Sequence, residues 1–79
     1  MVQYGIALFD TDSLAIVAWR LLTERRHPVR LIPTPEQFSG DDCGVALQFE
    51  WNYRRQLSSV LTDARIEIEA IYPLGLPGA

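Results

Sequence analysis

A lone cysteine is the side chain of this 79-residue sequence best suited to covalent chemistry. Cys43 follows Asp41 and Asp42, and the glycine after it, Gly44, would permit close approach of a second molecule. The two carboxylates disfavour a thiolate and should raise the pKa of the thiol, unless backbone amides or an arginine such as Arg30 offset them. The alternative is a structural cysteine that packs as a small hydrophobe, because free cysteine is among the most buried residue types.

Other catalytic or metal-binding arrangements are weakly supported. His27 could pair with Cys43 or join Asp41 and Asp42 around a metal ion, but its place just before Pro28 is typical of a turn residue. A single cysteine excludes a multi-cysteine zinc site, and the sequence contains no glycine-rich phosphate loop or HExxH motif. We therefore predict no metal and no cofactor, and a binding protein rather than a turnover enzyme.

Composition and charge narrow the class of partner. The sequence contains ten acidic residues and seven arginines but no lysine. The resulting net charge of −3 argues against a nucleic-acid partner. The longest apolar run, Leu14 to Trp19, has six residues, and no positive charge precedes Arg20. Neither a bilayer span nor a secretory signal peptide is predicted, so we expect a cytoplasmic protein with no membrane partner.

The hydrophobic periodicity predicts a β-α-β-β-α-β order. Five apolar residues of the first helix, predicted over 13–26, share one face: Leu14, Val17, Ala18, Leu21 and Leu22. The last strand is predicted from the alternation of Ile66, Ile68 and Ala70 with Glu67 and Glu69. This order favours an α+β, ferredoxin-like βαββαβ sandwich, with an antiparallel four-stranded sheet and two helices on one face. Residues 1–73 would form a single domain, and 74–79 a flexible tail.

A 12-residue loop, Pro33 to Gly44, joins two strands that a two-residue turn could connect. It contains Pro33 and Pro35, and Thr34 to Gln37 has a capping-box pattern typical of one helical turn. Functional residues often lie in loops that are longer than the connection requires.

Two surfaces of the predicted fold are candidates for contact with partners. Ile16 and Trp19 lie off the core stripe of the first helix and could contact a partner or a second copy, unless the helix is buried more widely. The uncovered sheet face is predicted to display four polar residues: Gln48, Glu50, Glu67 and Glu69. Such an acidic face, poor in aromatic rings, does not resemble an RNA-recognition sheet.

Three segments resemble the selenium/sulfur carrier protein-like family, a bacterial family first described as a domain of unknown function. They are His27 to Pro35, Cys43 to Phe49 and Ile68 to Tyr72, and the resemblance extends over nearly the whole chain. Its most specific element is the proline loop that leads into Cys43-Gly44. Two departures are Asp41-Asp42, where small polar residues are usual, and Arg26, near which a glycine usually ends the first helix.

The resemblance implies that Cys43 holds sulfur or selenium as a persulfide or perselenide, and that sulfur- or selenium-transfer proteins are its partners. A second class of function stays open, a non-catalytic interaction or assembly module in which the cysteine is structural.

Overall fold

The structure is a computed structural model that describes residues 3–35 and 44–75. Its elements are β1 (Tyr4–Leu8), α1 (Asp12–Glu24), β2 (Val29–Pro33), β3 (Val45–Glu50), a 3₁₀ turn (Trp51–Tyr53), α2 (Arg54–Asp63) and β4 (Ala70–Gly75). The sheet order is β2-β3-β1-β4, and every neighbouring pair is antiparallel. Each helix crosses between two strands that enclose a third. This confirms the predicted ferredoxin-like α+β fold.

The core lies between the sheet and the two helices. One set of alternating strand residues faces the helices and packs with three buried residues of α1 and two of α2. The buried cluster is Ala7, Phe9, Leu47 and Phe49 from the sheet side, and Ala15, Ala18, Leu22, Leu57 and Leu61 from the helices. Both helices therefore cover the same face of the sheet.

Gly5 is required where the 3₁₀ turn packs back on β1. A β-carbon built on Gly5 would lie 2.5 Å from Cε3 of Trp51 and 3.0 Å from Cζ of Phe49. The rings of Phe49 and Trp51 are stacked, with centroids 6.2 Å apart. Only a residue without a side chain leaves room for this pair against the strand.

Both helices end in a Schellman motif with arginine in the left-handed position. α1 ends at Glu24, two residues before the predicted end, and Arg26 has a φ of +63°. The amide of His27 donates to the carbonyl of Leu22 over 2.9 Å, which closes the motif. In α2, Arg65 has a φ of +62°, and the amide of Ile66 donates to the carbonyl of Leu61 over 2.8 Å.

The face of α1 that meets the core differs from the predicted stripe at one position. Val17 is 52 % exposed, whereas Ala15 is fully buried. Trp19 is half-buried and packs against the core cluster, while Ile16 remains 39 % exposed. Alanines at 15 and 18 allow close approach to the sheet, so the helix turns this small-residue edge inward and leaves Val17 outside.

The last strand begins later than predicted. β4 pairs with β1 from Ala70 onward, and Ile66 and Ile68 belong instead to an extended connection that packs against the core. A segment that packs only one of its sides against a core shows the same alternation of apolar and polar residues as a strand. This explains the error. Pro73 is tolerated because β4 is an edge strand. β4 continues past residue 73, where the domain is predicted to end, and 76–79 lie outside the described residues.

The face opposite the helices is also different from the predicted one. Glu67 and Glu69 precede β4 and do not lie on it, although Gln48 and Glu50 occupy the predicted positions. By strand alternation this face carries mainly apolar and tyrosine side chains, of which Ile6 and Ala46 are fully buried: Tyr4, Ile6, Leu8, Ile32, Ala46 and Tyr72. The prediction of an acidic face poor in aromatics is therefore wrong. The expectation of no nucleic-acid partner stays a prediction that depends on overall charge.

Candidate functional site

The candidate site is the loop between β2 and β3, and its described parts are the two ends where it joins the sheet. Cys43, Asp41 and Asp42, together with part of the predicted turn Thr34 to Gln37, lie outside the described residues. Pro33, exposed at the end of β2, pairs with Val45 at the start of β3. The two flanking strands therefore bring the loop ends together at one edge of the domain.

A backbone hydrogen bond closes the neck of this loop. The amide of Thr34 donates to the carbonyl of Gly44 over 3.1 Å, one step beyond the last strand pair. Pro35 follows as a half-buried residue. Within the described residues, Oγ1 of Thr34 is buried without a hydrogen-bond partner. The neck thus fixes the backbone of Gly44 beside that of Thr34.

Asp12 ties the neck to the start of α1. The amide of Gly44 donates to Oδ1 of Asp12 over 2.8 Å. Asp12 is the first residue of α1, and Thr11 caps the helix by accepting the amide of Leu14 at its Oγ1 over 3.1 Å. The contact of Asp12 with a residue 32 positions away was not predicted. No local sequence signal identifies such a pairing.

The helix terminus and the carboxylates at the neck have opposite electrostatic effects on an anion. The amino terminus of a helix favours an anion, and α1 directs that end toward Gly44. Asp12 brings a carboxylate to the same place. Three more carboxylates, those of Asp10, Glu67 and Glu69, line a cleft of about 320 Å³ with Leu14 near the start of α1. An anion near Gly44 would therefore be favoured by the helix and disfavoured by the surrounding carboxylates.

Arg30 lies away from the neck. It pairs with Gln48, which is four residues from Gly44 along β3, and is exposed on the sheet face opposite the helices. At roughly 3.3 Å per residue this separation is about 13 Å along the strand. Its role in supporting a thiolate stays a prediction.

The other predicted site residues do not converge on the neck. His27 lies beyond the far end of α1, where its ring meets that of Tyr53 edge-on with centroids 6.2 Å apart. Ile16 is available on the surface of α1, but Trp19 is largely used in packing. Their joint role as a partner surface stays a prediction.

Residues 3–35 and 44–75 contain no group of three or more His, Cys, Asp or Glu side chains placed to hold a metal ion. None of the helices described in those ranges is long and apolar enough to cross a bilayer.

Comparison with known proteins identifies the family of this chain. Neither the curated proteins nor the solved structures compared with the chain gave a match. A family model matches residues 4–73, which include every described strand and helix except the end of β4, and also include Cys43. The chain therefore belongs to the Putative Se/S carrier protein-like family.

Proposed function

We propose that this protein is a sulfur or selenium carrier that holds the transferred atom on Sγ of Cys43 and passes it between partner proteins. The observation that supports this most directly is the fixed neck of the loop, in which Asp12 binds the amide of Gly44. Cys43 is joined to that glycine by one peptide bond. Family membership supplies the class of cargo.

The transfer needs no redox partner. The Cys43 thiolate attacks the terminal sulfur of a donor persulfide, R–S–SH, and forms a new S–S bond. The donor's own S–S bond breaks, and the donor leaves as a thiolate. In delivery, an acceptor nucleophile takes the terminal sulfur and Cys43 leaves as a thiolate. A perselenide would be transferred in the same way, with selenium as the terminal atom.

The surroundings of the neck suggest how the reaction is controlled. The positive end of α1 favours the thiolate, while Asp12, with Asp41 and Asp42 in the sequence, opposes it. A donor that brings cationic groups to the neck would offset these carboxylates. Such a thiol would react with small reagents, and faster still with a matched protein partner.

Intact-mass measurement tests the proposal. After incubation with a low-molecular-weight persulfide, the protein should gain about 32 Da, and a thiol reductant should remove the added mass. Because the chain has one cysteine, Cys43→Ser is a complete control and should gain nothing. An unmodified wild type, or an adduct that persists in Cys43→Ser, would exclude the carrier role.

An interaction module is the second candidate function, favoured by the exposed Ile16 and Val17 on α1. It requires Cys43 to be structural. Thiol titration separates the two: rapid labelling of the folded protein supports the carrier, and labelling only after denaturation supports the module. Ile16→Asp tests the surface by light scattering, since Trp19 contributes to the core and its replacement would also change stability.

A further inference from the structure

The two ends of the molecule have opposite charge. Four arginines, Arg25 and Arg26 after α1 and Arg54 and Arg55 at the start of α2, define what we call the arginine end. The ring contact between His27 and Tyr53, the neighbours of Arg26 and Arg54, brings these two segments together. The neck of the loop, at the other end of α1, defines the loop end. Thirteen residues of α1 separate the two ends by about 20 Å.

The charges of the described residues follow this division. At the arginine end, the strand and helix termini contain five arginines, including Arg30, and two acidic residues, Glu24 and Glu50. The net charge of these termini is therefore +3. The loop end contains one arginine, Arg65, and five carboxylates, so its net charge is −4. Those carboxylates are Asp10, Asp12, Asp63, Glu67 and Glu69.

Three of the arginines occupy positions that local preferences disfavour. Arg26 has the left-handed backbone that glycine adopts at lower cost. Arg54 and Arg55 lie in the first turn of α2, where the helix dipole disfavours positive charge. Departures of this kind concentrate at functional sites, where a side chain is kept for a purpose other than stability.

The arginine end presents these charges to solvent. Arg54 is fixed, because its Nη1 donates to the carbonyl of Trp51 over 3.0 Å and its guanidinium lies 5.0 Å from the Trp51 ring centroid. Arg25, Arg26 and Arg55 are exposed, and within residues 3–35 and 44–75 none of the three forms an ion pair. Their charge is therefore available to a second molecule.

We propose that the arginine end is a docking surface for an acidic patch on a partner protein. Guanidinium groups bind carboxylates through paired hydrogen bonds, so a compact cluster of Asp and Glu matches this surface in charge and in geometry. Docking here would leave the loop end, about 20 Å away, open for a different partner. The inference does not depend on the proposed carrier chemistry.

A nucleic acid fits this surface less well. Single-stranded nucleic acids need exposed ring faces for stacking, but the rings of His27, Trp51 and Tyr53 at this end are half-buried in contacts with other rings or beneath Arg54. An extended polyanion would also meet the carboxylates of the loop end. A protein patch of limited size avoids that repulsion.

Binding of labelled poly-L-glutamate, measured by fluorescence anisotropy at low salt, tests the proposal. The double variant Arg26→Gly/Arg55→Gln removes two charges from the arginine end. The matched control, Arg65→Gly/Arg20→Gln, removes two arginines elsewhere and includes the same left-handed position. We expect binding about fivefold weaker for the first variant and changed less than about 1.5-fold for the control.

Three outcomes would overturn the proposal. The first is that poly-L-glutamate does not bind the wild type, and the second is that both double variants weaken its binding equally. The third is that a uridine oligonucleotide of equal charge binds the wild type more tightly than poly-L-glutamate does, and that Arg26→Gly/Arg55→Gln abolishes this binding. Persulfide loading of Cys43, measured on the same variants, should be unchanged. A failure of loading would reject the carrier role and leave this binding result intact.

Discussion

Asp12 has two structural roles at the residue scale. It is the acidic first residue of α1, and its Oδ1 accepts the amide of Gly44 from across the molecule. Asparagine can keep the second role, because its carbonyl oxygen also accepts, while removing the charge. The residue thus allows the effect of charge at the neck to be separated from the effect of the hydrogen bond.

We expect Asp12→Asn to accelerate alkylation of Cys43 by about threefold at pH 7, since loss of the carboxylate that binds the amide of the adjacent Gly44 would lower the pKa of the thiol. The pH dependence of the alkylation rate should shift to lower pH. Asp63→Asn, which removes a charge at the loop end without a contact to Gly44, should have a smaller effect. Equal rates in wild type and Asp12→Asn would show that Asp12 does not influence the thiol.

Gly5 is the second residue whose role is specific. Gly5→Ala should destabilise the protein by about 2–3 kcal/mol, because the new methyl group overlaps the Trp51 ring, as in other overpacked cores. Gly44→Ala is the matched control: its β-carbon would lie 3.6 Å from Oδ2 of Asp12, an ordinary contact. Urea denaturation compares the two, and similar midpoints would contradict the role assigned to Gly5.

At the scale of elements, the helix ends give the clearest prediction. Arg26→Gly should stabilise the protein by about 1 kcal/mol, because glycine adopts a φ of +63° without the clash that an L side chain creates. Arg25→Gly should instead destabilise it, since Arg25 has a φ of −88° and gains nothing from glycine. Thermal and urea unfolding both report the difference. A loss of stability in Arg26→Gly would show that its side chain makes a larger structural contribution.

Elements were predictable where one face is buried against one neighbour. The 3.6-residue spacing in α1 and the alternation of Val45, Leu47 and Phe49 in β3 reflect direct packing on the core. The alternation of Ile66 and Ile68 reflects packing too, but without strand pairing, and alternation alone does not distinguish the two. β4 was predicted too early in the chain, and its continuation through Pro73 depends on an edge position that only the sheet order reveals.

The whole molecule was predictable from the order of its elements. Two crossovers around an antiparallel sheet leave few arrangements, so the order β-α-β-β-α-β led to the correct fold class. The site was less accessible, because the contact of Asp12 with Gly44 depends on how the start of α1 meets the neck in three dimensions. The burial of Ala15 was missed for a similar reason, since the inward edge of α1 depends on its fit to the sheet.

The antiparallel course of the two helices has a consequence for how this molecule meets others. It gathers arginines at one pole and carboxylates at the other, so the protein behaves as an electric dipole. In the field of a negatively charged surface, such a body rotates during its approach and arrives with its positive pole first. The cysteine-bearing pole would then point outward, toward bulk water, before any specific contact has formed.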